Sequence, residues 1–313
     1  MIVMLCLNPA VDRVFRIPGF AAGEDYPGQR PETYPGGKGV NAARVLSQLG
    51  EEVHLVAWMG MGGEGIRREM SMRCPCTFLE VEGSVRSTVN VIDPDSGRET
   101  VISEQGFSVT GENLRSLYQT LEGMLHPGDV VACSGSLPQG APADLYASIG
   151  ALADEKGAQC AVDCQDRYLK ASLNAPGYVL GKPNERELCA LAGVERTRDP
   201  GKLCRLAREL MPPFERLVIS MGGDGGLLVT PRRALKAELP RVRLRSSVGS
   251  GDAAFAGALS AVHRGASEEE VLALSMACGA ANAEDPGVGT VKRERVLELL
   301  GNIRVREMEE DGR

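Results

Sequence analysis

The sequence contains no dense block of basic residues. Its 313 residues include 35 Lys and Arg against 42 Asp and Glu, which gives a formal net charge of −7. Nucleic-acid-binding proteins present clustered Lys and Arg. We therefore exclude nucleic acid as a partner, and we expect any bound phosphate to be held by local backbone amides and a few placed cations.

No pair of cysteines has the spacing of a redox or zinc motif. The nine cysteines are scattered, and only Cys74 and Cys76 lie close together. One intervening residue is too few for a C-x-x-C site. No secretory signal precedes them, so we expect mostly reduced thiols in a cytoplasmic protein.

The chain also lacks a membrane-spanning run, internal repeats, low-complexity tracts and flexible linkers. Its apolar start, residues 2–7, is followed at once by Asn8, Pro9 and Asp12. This pattern predicts a buried strand rather than a signal or membrane helix. We therefore expect no membrane partner, and a single α/β domain over residues 1–313.

Apolar strand segments alternate with amphipathic helical segments along the chain. Val40, Ala43, Leu46 and Leu49 fall on one helical face, and Gly50 is placed to end that helix. Such alternation favours a mostly parallel sheet covered by helices on both faces, which is a three-layer doubly wound fold. The predicted core strands are 2–7, 53–58, 129–133, 159–163, 177–181 and 216–221.

Two amphipathic regions do not fit that sheet. Residues 10–17 alternate like an edge strand, and residues 87–93 and 99–103 form the arms of a predicted hairpin. We predict a small β-sheet lid in which residues 19–35 are loop. Its exposed edges could pair with a second copy, which predicts a homodimer through the lid. The lid is assigned to segments of about 10–35 and 85–105.

The segment 246–258 is typical of a glycine-rich turn that opens a helix. Gly249 and Gly251 allow the bend, and Asp252 falls in the first helical turn. A helix start presents free N–H groups and a partial positive charge, which hold phosphate. With Asp252 as a proton acceptor, this arrangement suits transfer of a phosphoryl group to a hydroxyl. The alternative is an ordinary turn with an acidic helix cap.

Polar groups follow several predicted strands or lid segments, where the chemistry of an α/β sheet is expected. They are Asn8, 36–41, 134–136, 182–184 and 220–225. A dinucleotide-binding fold is disfavoured, because the early turn is G-G-K-G rather than G-x-G-x-x-G and no strand-end acid follows at the expected distance.

Six motifs occur in order: CLNPAVDR, PGGKGVNAARVLSQLG, SGSLPQG, KPNERE, SMGGDGG and VGSGDAAFAG. Together they resemble the ribokinase-like (pfkB) carbohydrate kinases, within them the 1-phosphofructokinase and tagatose-6-phosphate kinase group. The resemblance covers essentially the whole chain. It implies a ribokinase-like fold, with ATP and Mg²⁺ as cofactors. It also implies transfer of the γ-phosphoryl group to a primary hydroxyl of a ketohexose monophosphate, such as fructose 1-phosphate or tagatose 6-phosphate.

The resemblance assigns roles to individual residues. Asp252 is similar to the family's catalytic base, and the amides of Gly249, Ser250 and Gly251 to its anion hole. Lys38 and Arg86 could instead be surface cations, and Ser136 could belong to a plain turn. The substrate-binding positions that it implies are Asp12, Gly36, Gly37, Lys38, Asn41, Arg86 and Ser136.

The KPNERE element is similar to one whose Asn and Glu act, directly or through water, on the magnesium that accompanies ATP. Because Mg²⁺ keeps several of its waters, an indirect contact from Glu187 is sufficient. Gly222 and Gly225 could instead form hairpin turns, and Asn282 could be an ordinary helical residue. The ATP-binding positions implied by the resemblance are Lys182, Asn184, Ser220, Gly222, Gly225 and Asn282.

Three positions depart from the family pattern. Ser250 replaces the usual Ala, which is a small change. Residues 24–27 are Glu-Asp-Tyr-Pro where the group places basic residues near the substrate's phosphate, and Arg30 is the nearest cation. Residues 163–168 are bulky and charged where the group tends to have a small turn. Arg167 could replace the lost phosphate contact, or the pocket could accept an unphosphorylated sugar.

Two alternatives therefore stay open beside the leading hypothesis. One is a kinase for an unphosphorylated sugar, a sugar acid or a nucleoside. The other is a sugar-binding regulatory protein that keeps the fold without turnover. The presence of Asp252 and of the KPNERE element favours a kinase over the regulator.

Overall fold

The computed structural model describes residues 1–164, 166–173, 177–211 and 213–308, with the backbone alone at 166 and 167. The strands are β1 Ile2–Cys6, β2 Ala10–Arg16, β3 Glu32–Gly36, β4 Val53–Met61, β5 Cys76–Ser84, β6 Arg86–Ile92, β7 Glu99–Ser103, β8 Val130–Ser134, β9 Gln159–Asp163, β10 Leu180–Gly181, β11 Leu217–Ser220, β12 Gly226–Val229, β13 Ala234–Glu238 and β14 Arg304–Glu307.

The helices fill the intervals between these strands. They are α1 Lys38–Leu49, α2 Glu64–Ser71, α3 Gly111–Met124, α4 Leu145–Glu155, α5 Asp166–Ser172, α6 Glu185–Leu191, α7 Pro200–Glu209, α8 Ser250–His263, α9 Glu268–Glu284 and α10 Arg293–Leu300, with a short 3₁₀ turn at Gly222–Asp224.

A ten-stranded sheet forms the centre of the molecule, in the order β14-β13-β12-β11-β10-β9-β8-β1-β4-β5. Its pairings are parallel from β5 to β11 and antiparallel from β11 to β14. Every residue of β1 is buried, as expected for a strand covered on both faces. One row of helices contains α1, α8, α9 and α10, and another contains α4 to α7. The predicted three-layer α/β fold is confirmed.

Helix α1 follows its sequence pattern closely. Val40, Ala43 and Leu46 are fully buried, and Gly50 ends the helix with φ 87°. In that conformation the Gly50 N–H donates to the carbonyls of Leu46 and Ser47. At its other end the helix begins directly after strand β3, with Gly39 packed against Leu5 and Cys6 at the carboxyl end of β1.

The lid is a separate four-stranded sheet in the order β3-β2-β6-β7. The prediction of residues 10–17 as an edge strand is wrong, because β2 lies between β3 and β6. The prediction of 19–35 as loop throughout is also wrong, since β3 occupies its end. Pro35 and Gly36 are unfavourable in the interior of a strand, so the residue types in this segment did not indicate β3. The hairpin from β6 to β7 is confirmed by antiparallel pairing of Thr88 with Ser103 through Ile92 with Glu99.

Strand β14 near the end of the chain is not among the strands that the sequence predicts. Its Glu307 pairs with Leu235 of the antiparallel strand β13. Residues 309–313 lie outside the described residues. Short strands with exposed alternate positions, such as β14, carry too few apolar residues to be distinguished from loop. Within the described ranges, no helix has both the length and the apolar character needed to cross a bilayer.

Candidate active site

The predicted glycine turn opens helix α8. Gly249 has φ 79° and directly precedes the helix, which begins at Ser250. A side chain at Gly249 would overlap the backbone of Gly289, so both the conformation and the space require glycine. The Ser250 N–H donates to the Ser247 carbonyl at 3.2 Å. One amide of the predicted anion hole is thus engaged within the turn, whereas the N–H groups of Gly251 and Asp252 make no such backbone bond among the described residues and remain to receive an anion.

Asp252 lies in this first turn and is 6% exposed. The Asn41 Nδ2 donates to its Oδ2 at 2.8 Å, which joins helix α1 to helix α8. Burial raises the pKa of Asp252 to about 6, and the nearby charge of Asp163 acts in the same direction. The positive charge of Lys38, the hydrogen bond from Asn41 and the positive charge of Lys182 oppose this rise. The carboxyl is therefore ionised at neutral pH while its affinity for a proton is increased.

A buried aspartate that the sequence analysis did not assign holds two lysines beside Asp252. Asp163 ends strand β9 and its side chain is 0% exposed. Its Oδ1 lies 3.2 Å from the Nζ of Lys38 and 3.5 Å from the Nζ of Lys182. Among the described residues its Oδ2 has no hydrogen-bond partner. Its place at the carboxyl end of a buried strand is the sequence signal that could have identified it.

Lys38 stays protonated in this arrangement. Burial lowers the pKa of its ammonium group, but the charges of Asp163, Asp252 and Glu187 outweigh burial and leave the pKa raised. A fixed positive charge therefore lies beside the Asp252 carboxylate.

The other predicted substrate residues lie between the lid and the central sheet. Asp12 is 7% exposed, and burial raises its pKa to about 6 against the opposing charge of Arg86. A Cβ at Gly36 would overlap the Asp12 carboxylate. The Asn8 Nδ2 donates to the Ser136 Oγ at 3.0 Å, and the Arg86 Nε donates to the Asn8 carbonyl at 3.4 Å. These contacts place polar groups from β2, β6 and the segment after β8 side by side.

A polar cavity of about 550 Å³ collects most of these residues. A smaller cavity of about 350 Å³ shares Asn8, Arg86 and Ser136 with it and is also lined by Gln105 and Gln139. The predicted residues that line the polar cavity are Asp12, Gly37, Lys38, Asn41, Arg86, Ser136, Lys182, Asn184, Glu187, Ser220, Gly249, Gly251 and Asp252. Gly36 lies beside the cavity, against Asp12.

A second, largely apolar cavity of about 620 Å³ lies on the other side of the α8 N-terminus. Its walls include Leu239, Val242 and Met276. The two cavities share Ser220 and Gly251, so they meet where Asp252 and the free helix amides lie. The predicted residues that line the apolar cavity are Ser220, Gly222, Gly225, Ser250 and Gly251.

Asn282 does not reach either cavity. It is fully buried, and its Nδ2 donates to the Val248 carbonyl at 2.9 Å and to the Ser250 Oγ at 3.0 Å. Its Oδ1 accepts the N–H of Thr290 at 2.9 Å. The side chain is committed to bracing the turn before α8, so the structure does not bring it to the nucleotide.

Asn184 and Glu187 form a capping box at the start of α6. The Asn184 Oδ1 accepts the N–H groups of Arg186 and Glu187 at 3.0 and 2.9 Å, and the Glu187 Oε2 accepts the Asn184 N–H at 2.8 Å. Both residues also face the polar cavity. In the described part of the chain, no group of three or more His, Cys, Asp or Glu could hold a metal ion by itself.

Of the two segments that depart from the family pattern, residues 24–27 lie away from this centre, whereas residues 163–168 begin with Asp163, which belongs to it. The Tyr26 hydroxyl accepts the Ala21 N–H at 2.8 Å, and its ring packs 5.5 Å from that of Phe20. Neither residues 24–27 nor Arg30 line the cavities described above. The side chain of Arg167, considered as a replacement phosphate contact, lies outside the described residues.

Two joined cavities, with a carboxylate and free helix amides at their junction, form an arrangement expected of a phosphotransferase. Residues 5–295 match the family described as pfkB family carbohydrate kinase. The chain is 32% identical over 320 residues to a 1-phosphofructokinase from Bacillus subtilis (strain 168), covering 97% of this chain and 99% of the relative. It belongs to the pfkB family of carbohydrate kinases, which transfer phosphoryl groups to sugar hydroxyls.

Solved structures agree with this assignment. Phosphofructokinase-2 from Escherichia coli in complex with substrates and products is similar with a TM-score of 0.87 and 26% identity, over 96% of this chain and 98% of that chain. The tetrameric inhibited form of the same E. coli protein has a TM-score of 0.87 and 25% identity, with the same coverage.

The buried position of Asp163 predicts a large effect on stability. Replacement with Asn keeps the shape but removes the charge between two lysines, and losing one partner of a buried ion pair costs about 3–5 kcal/mol. We expect Asp163→Asn to lower the free energy of unfolding by that amount in urea titrations followed by the fluorescence of Trp58, the single tryptophan.

Asp224→Asn is the matched control for this measurement. Asp224 is 57% exposed and pairs with the exposed Arg198 at 3.3 Å, so its loss should change the free energy of unfolding by less than about 1 kcal/mol. Equal effects of the two substitutions would contradict the role assigned to Asp163.

Proposed function

We propose that this chain is an ATP-dependent kinase that transfers the γ-phosphoryl group to a primary hydroxyl of a ketohexose monophosphate. The observation that carries the proposal is the position of Asp252. Its buried carboxylate stands at the junction of a polar and an apolar cavity, in the first turn of α8. The similarity to the B. subtilis 1-phosphofructokinase and the E. coli phosphofructokinase-2 supports a phosphorylated ketohexose as the acceptor.

ATP occupies the apolar cavity in this proposal. The base packs against the aliphatic walls formed by Leu239, Val242 and Met276. The glycines at 222 and 225 let the phosphate chain pass close to the backbone. The triphosphate then points toward Gly251, where the helix amides receive the γ-phosphate.

The sugar occupies the polar cavity. Asp12, Lys38 and Asn41 offer a carboxylate, an ammonium and an amide to its hydroxyls. The smaller cavity beside Arg86 and Ser136 receives the phosphate that the acceptor already carries. A guanidinium is suited to this contact because it binds phosphate oxygens in pairs.

The transfer moves one proton and replaces one phosphorus–oxygen bond by another. The acceptor hydroxyl gives its proton to Asp252 as its oxygen bonds to the γ-phosphorus, and the bond to the β-phosphate oxygen breaks to leave ADP. The N–H groups of Gly251 and Asp252, with the ammonium of Lys38, stabilise the charge on the migrating group. Fixed positioning of both substrates supplies much of the remaining rate enhancement.

The donor set fits Mg²⁺ brought in with ATP. Mg²⁺ retains waters and uses one or two carboxylates beside substrate phosphates, and the carboxylate of Glu187 faces the polar cavity next to Asn184. These two residues would hold the ion through water. An ion held there would supply positive charge to offset the charge of the nucleotide phosphates.

The lid limits the access of water to the polar cavity. Glu99, Val101 and Ser103 of β7 line that cavity, and the Ser247 Oγ donates to the Glu99 Oε2 at 2.7 Å. This hydrogen bond joins the lid to the turn before α8. Exclusion of water matters because water competes with the sugar hydroxyl for the phosphoryl group.

The nine free thiols support a cytoplasmic location for the reaction.

A panel of acceptors tests the substrate class. We expect ADP release with fructose 1-phosphate, fructose 6-phosphate or tagatose 6-phosphate, and little with fructose, tagatose, ribose, gluconate or adenosine. Response to unphosphorylated acceptors alone would overturn the substrate class.

The role of Arg86 in binding the acceptor's phosphate is tested by substitution. Arg86→Met should raise the KM of the best acceptor about 10- to 100-fold, because a charge-assisted hydrogen bond contributes about 1.5–3 kcal/mol. Arg98→Met, on the same lid but exposed, is the control.

Asp252→Asn tests the proposed base with the best acceptor of that panel. Loss of a general base lowers kcat by about 10²- to 10⁴-fold. Because a base acts only when ionised and the pKa of Asp252 is raised to about 6, wild-type kcat should fall as the pH drops through about 6. Asp12→Asn should show the same fall of kcat at low pH, which we call the acidic limb. Asp154→Asn, on the exposed surface of α4, should behave as wild type, and an active, folded Asp252→Asn would refute the mechanism.

We also infer that a second copy of the chain pairs through the lid. All residues of β7 are exposed, including Ile102 at 60%, and β7 forms an edge of the small sheet. Unpaired strand edges with apolar side chains associate readily. Sedimentation should give a dimer for wild type and a monomer for Ile102→Lys. Leu297→Lys, at a position on α10 that is 56% exposed, should remain dimeric. A monomeric wild type would exclude this assembly.

A further inference from the structure

Arg44 is a buried cation on helix α1 whose donors are all engaged. It is 3% exposed. Its Nε donates to the Glu69 Oε1 at 2.6 Å, and its Nη2 donates to the Pro35 carbonyl at 2.6 Å and to the Glu69 Oε2 at 3.4 Å. Its Nη1 donates to the Asn41 Oδ1 and the Val288 carbonyl, both at 2.9 Å. These acceptors use the five N–H donors of a guanidinium.

The contact with Asn41 decides how that amide is oriented. Because the Asn41 Oδ1 accepts from Arg44, its Nδ2 faces Asp252 and donates to the Oδ2 at 2.8 Å. A rotated amide would place two acceptor oxygens against each other. Arg44 therefore prevents the amide rotation that would remove the hydrogen bond from Asp252.

The two backbone contacts of Arg44 involve the other walls of the site. Pro35 belongs to lid strand β3, next to Gly36, whose Cα lies against the Asp12 carboxylate. Val288 precedes Gly289, which packs both against Asn41 and against Gly249 of the turn before α8. One guanidinium thus contacts lid strand β3, the side chain of Asn41 in the polar cavity, and the segment that packs against the turn before α8.

We propose that Arg44 is a positioning residue for the phosphoryl transfer: it fixes the amide of Asn41 and, through it, the side chain of Asp252. The inference rests on the proposed role of Asp252 as the base. Arg44 touches neither cavity, so it acts through Asn41 and is not itself a catalytic group.

A purely structural role for Arg44, as the partner of Glu69, makes a different prediction. Glu69 also accepts from the Nε of Arg73 at 2.9 Å, and Arg73 is 35% exposed. Arg73→Met removes a cation from the same carboxylate without a contact to Asn41. It is therefore the matched control for Arg44→Met.

The experiment compares Arg44→Met, Arg44→Lys, Asn41→Ala, the double variant Asn41→Ala with Arg44→Met, and Arg73→Met. We expect kcat to fall about 10²-fold in Arg44→Met, as for other small misplacements of a reacting group. In the Asn41→Ala background, Arg44→Met should change kcat less than about twofold, because residues that act in series are not additive. Arg44→Lys keeps the charge but not the planar set of donors, and should stay impaired.

The pH profile supplies a readout that a structural role would not move. The hydrogen bond from Asn41 lowers the pKa of Asp252, so its loss in Arg44→Met should shift the acidic limb of kcat to higher pH. The other charged groups that face Asp252 are Lys38, Lys182 and Asp163, and all three are unchanged. Arg73→Met should leave both kcat and the limb at wild-type values.

Additive losses in the double variant, or full recovery in Arg44→Lys, would overturn the inference. If Trp58 fluorescence shows that Arg44→Met is unfolded, the same cycle with Arg44→Lys decides between these outcomes. Failure of the proposed function is distinguishable, because it would appear as turnover by Asp252→Asn. An inactive Asp252→Asn with additive effects of Arg44 and Asn41 would reject the positioning role alone.

Discussion

The site depends on keeping one carboxylate ionised where little water reaches it. Burial favours the protonated form of Asp252, and two lysines and the amide of Asn41 oppose that tendency. The result is a carboxylate whose pKa is raised to about 6, at the point where the two cavities join. Gly249 packs against Gly289, and Gly289 packs against Asn41, so glycine at both positions lets the turn before α8 approach the residue that donates to Asp252.

Much of the fold could be predicted because its signals are local. The helical face of Val40, Ala43 and Leu46 and the stop at Gly50 are fixed by spacing alone. The misjudged elements depend on pairing between distant segments. Strand β3, which contains Pro35, exists because it pairs with β2, and β14 exists because it pairs with β13. A strand partner at long range leaves little trace in a single sequence.

The candidate site was predictable where a motif carries the chemistry. The glycine turn at 249–251 and Asp252 indicate an anion site by their local sequence alone. The structure places Lys38 and Asn41 beside them. Asp163 and Asn282 show the limit of such inference. The first was missed because two lysines from separate elements give it its role. The second was assigned to the nucleotide, whereas its three hydrogen bonds are spent on the turn before α8.

The lid lines only the polar one of the two cavities. Strand β7 contributes residues to the polar cavity, whereas the described residues around the apolar cavity come from β11 onward, none of them from the small sheet. Within the described part of the chain, the small sheet reaches the apolar cavity only indirectly, because Ser247 in the wall of that cavity donates to Glu99 of β7. A displacement of β7 would therefore alter the wall of the polar cavity directly, and that of the apolar cavity only through this single hydrogen bond.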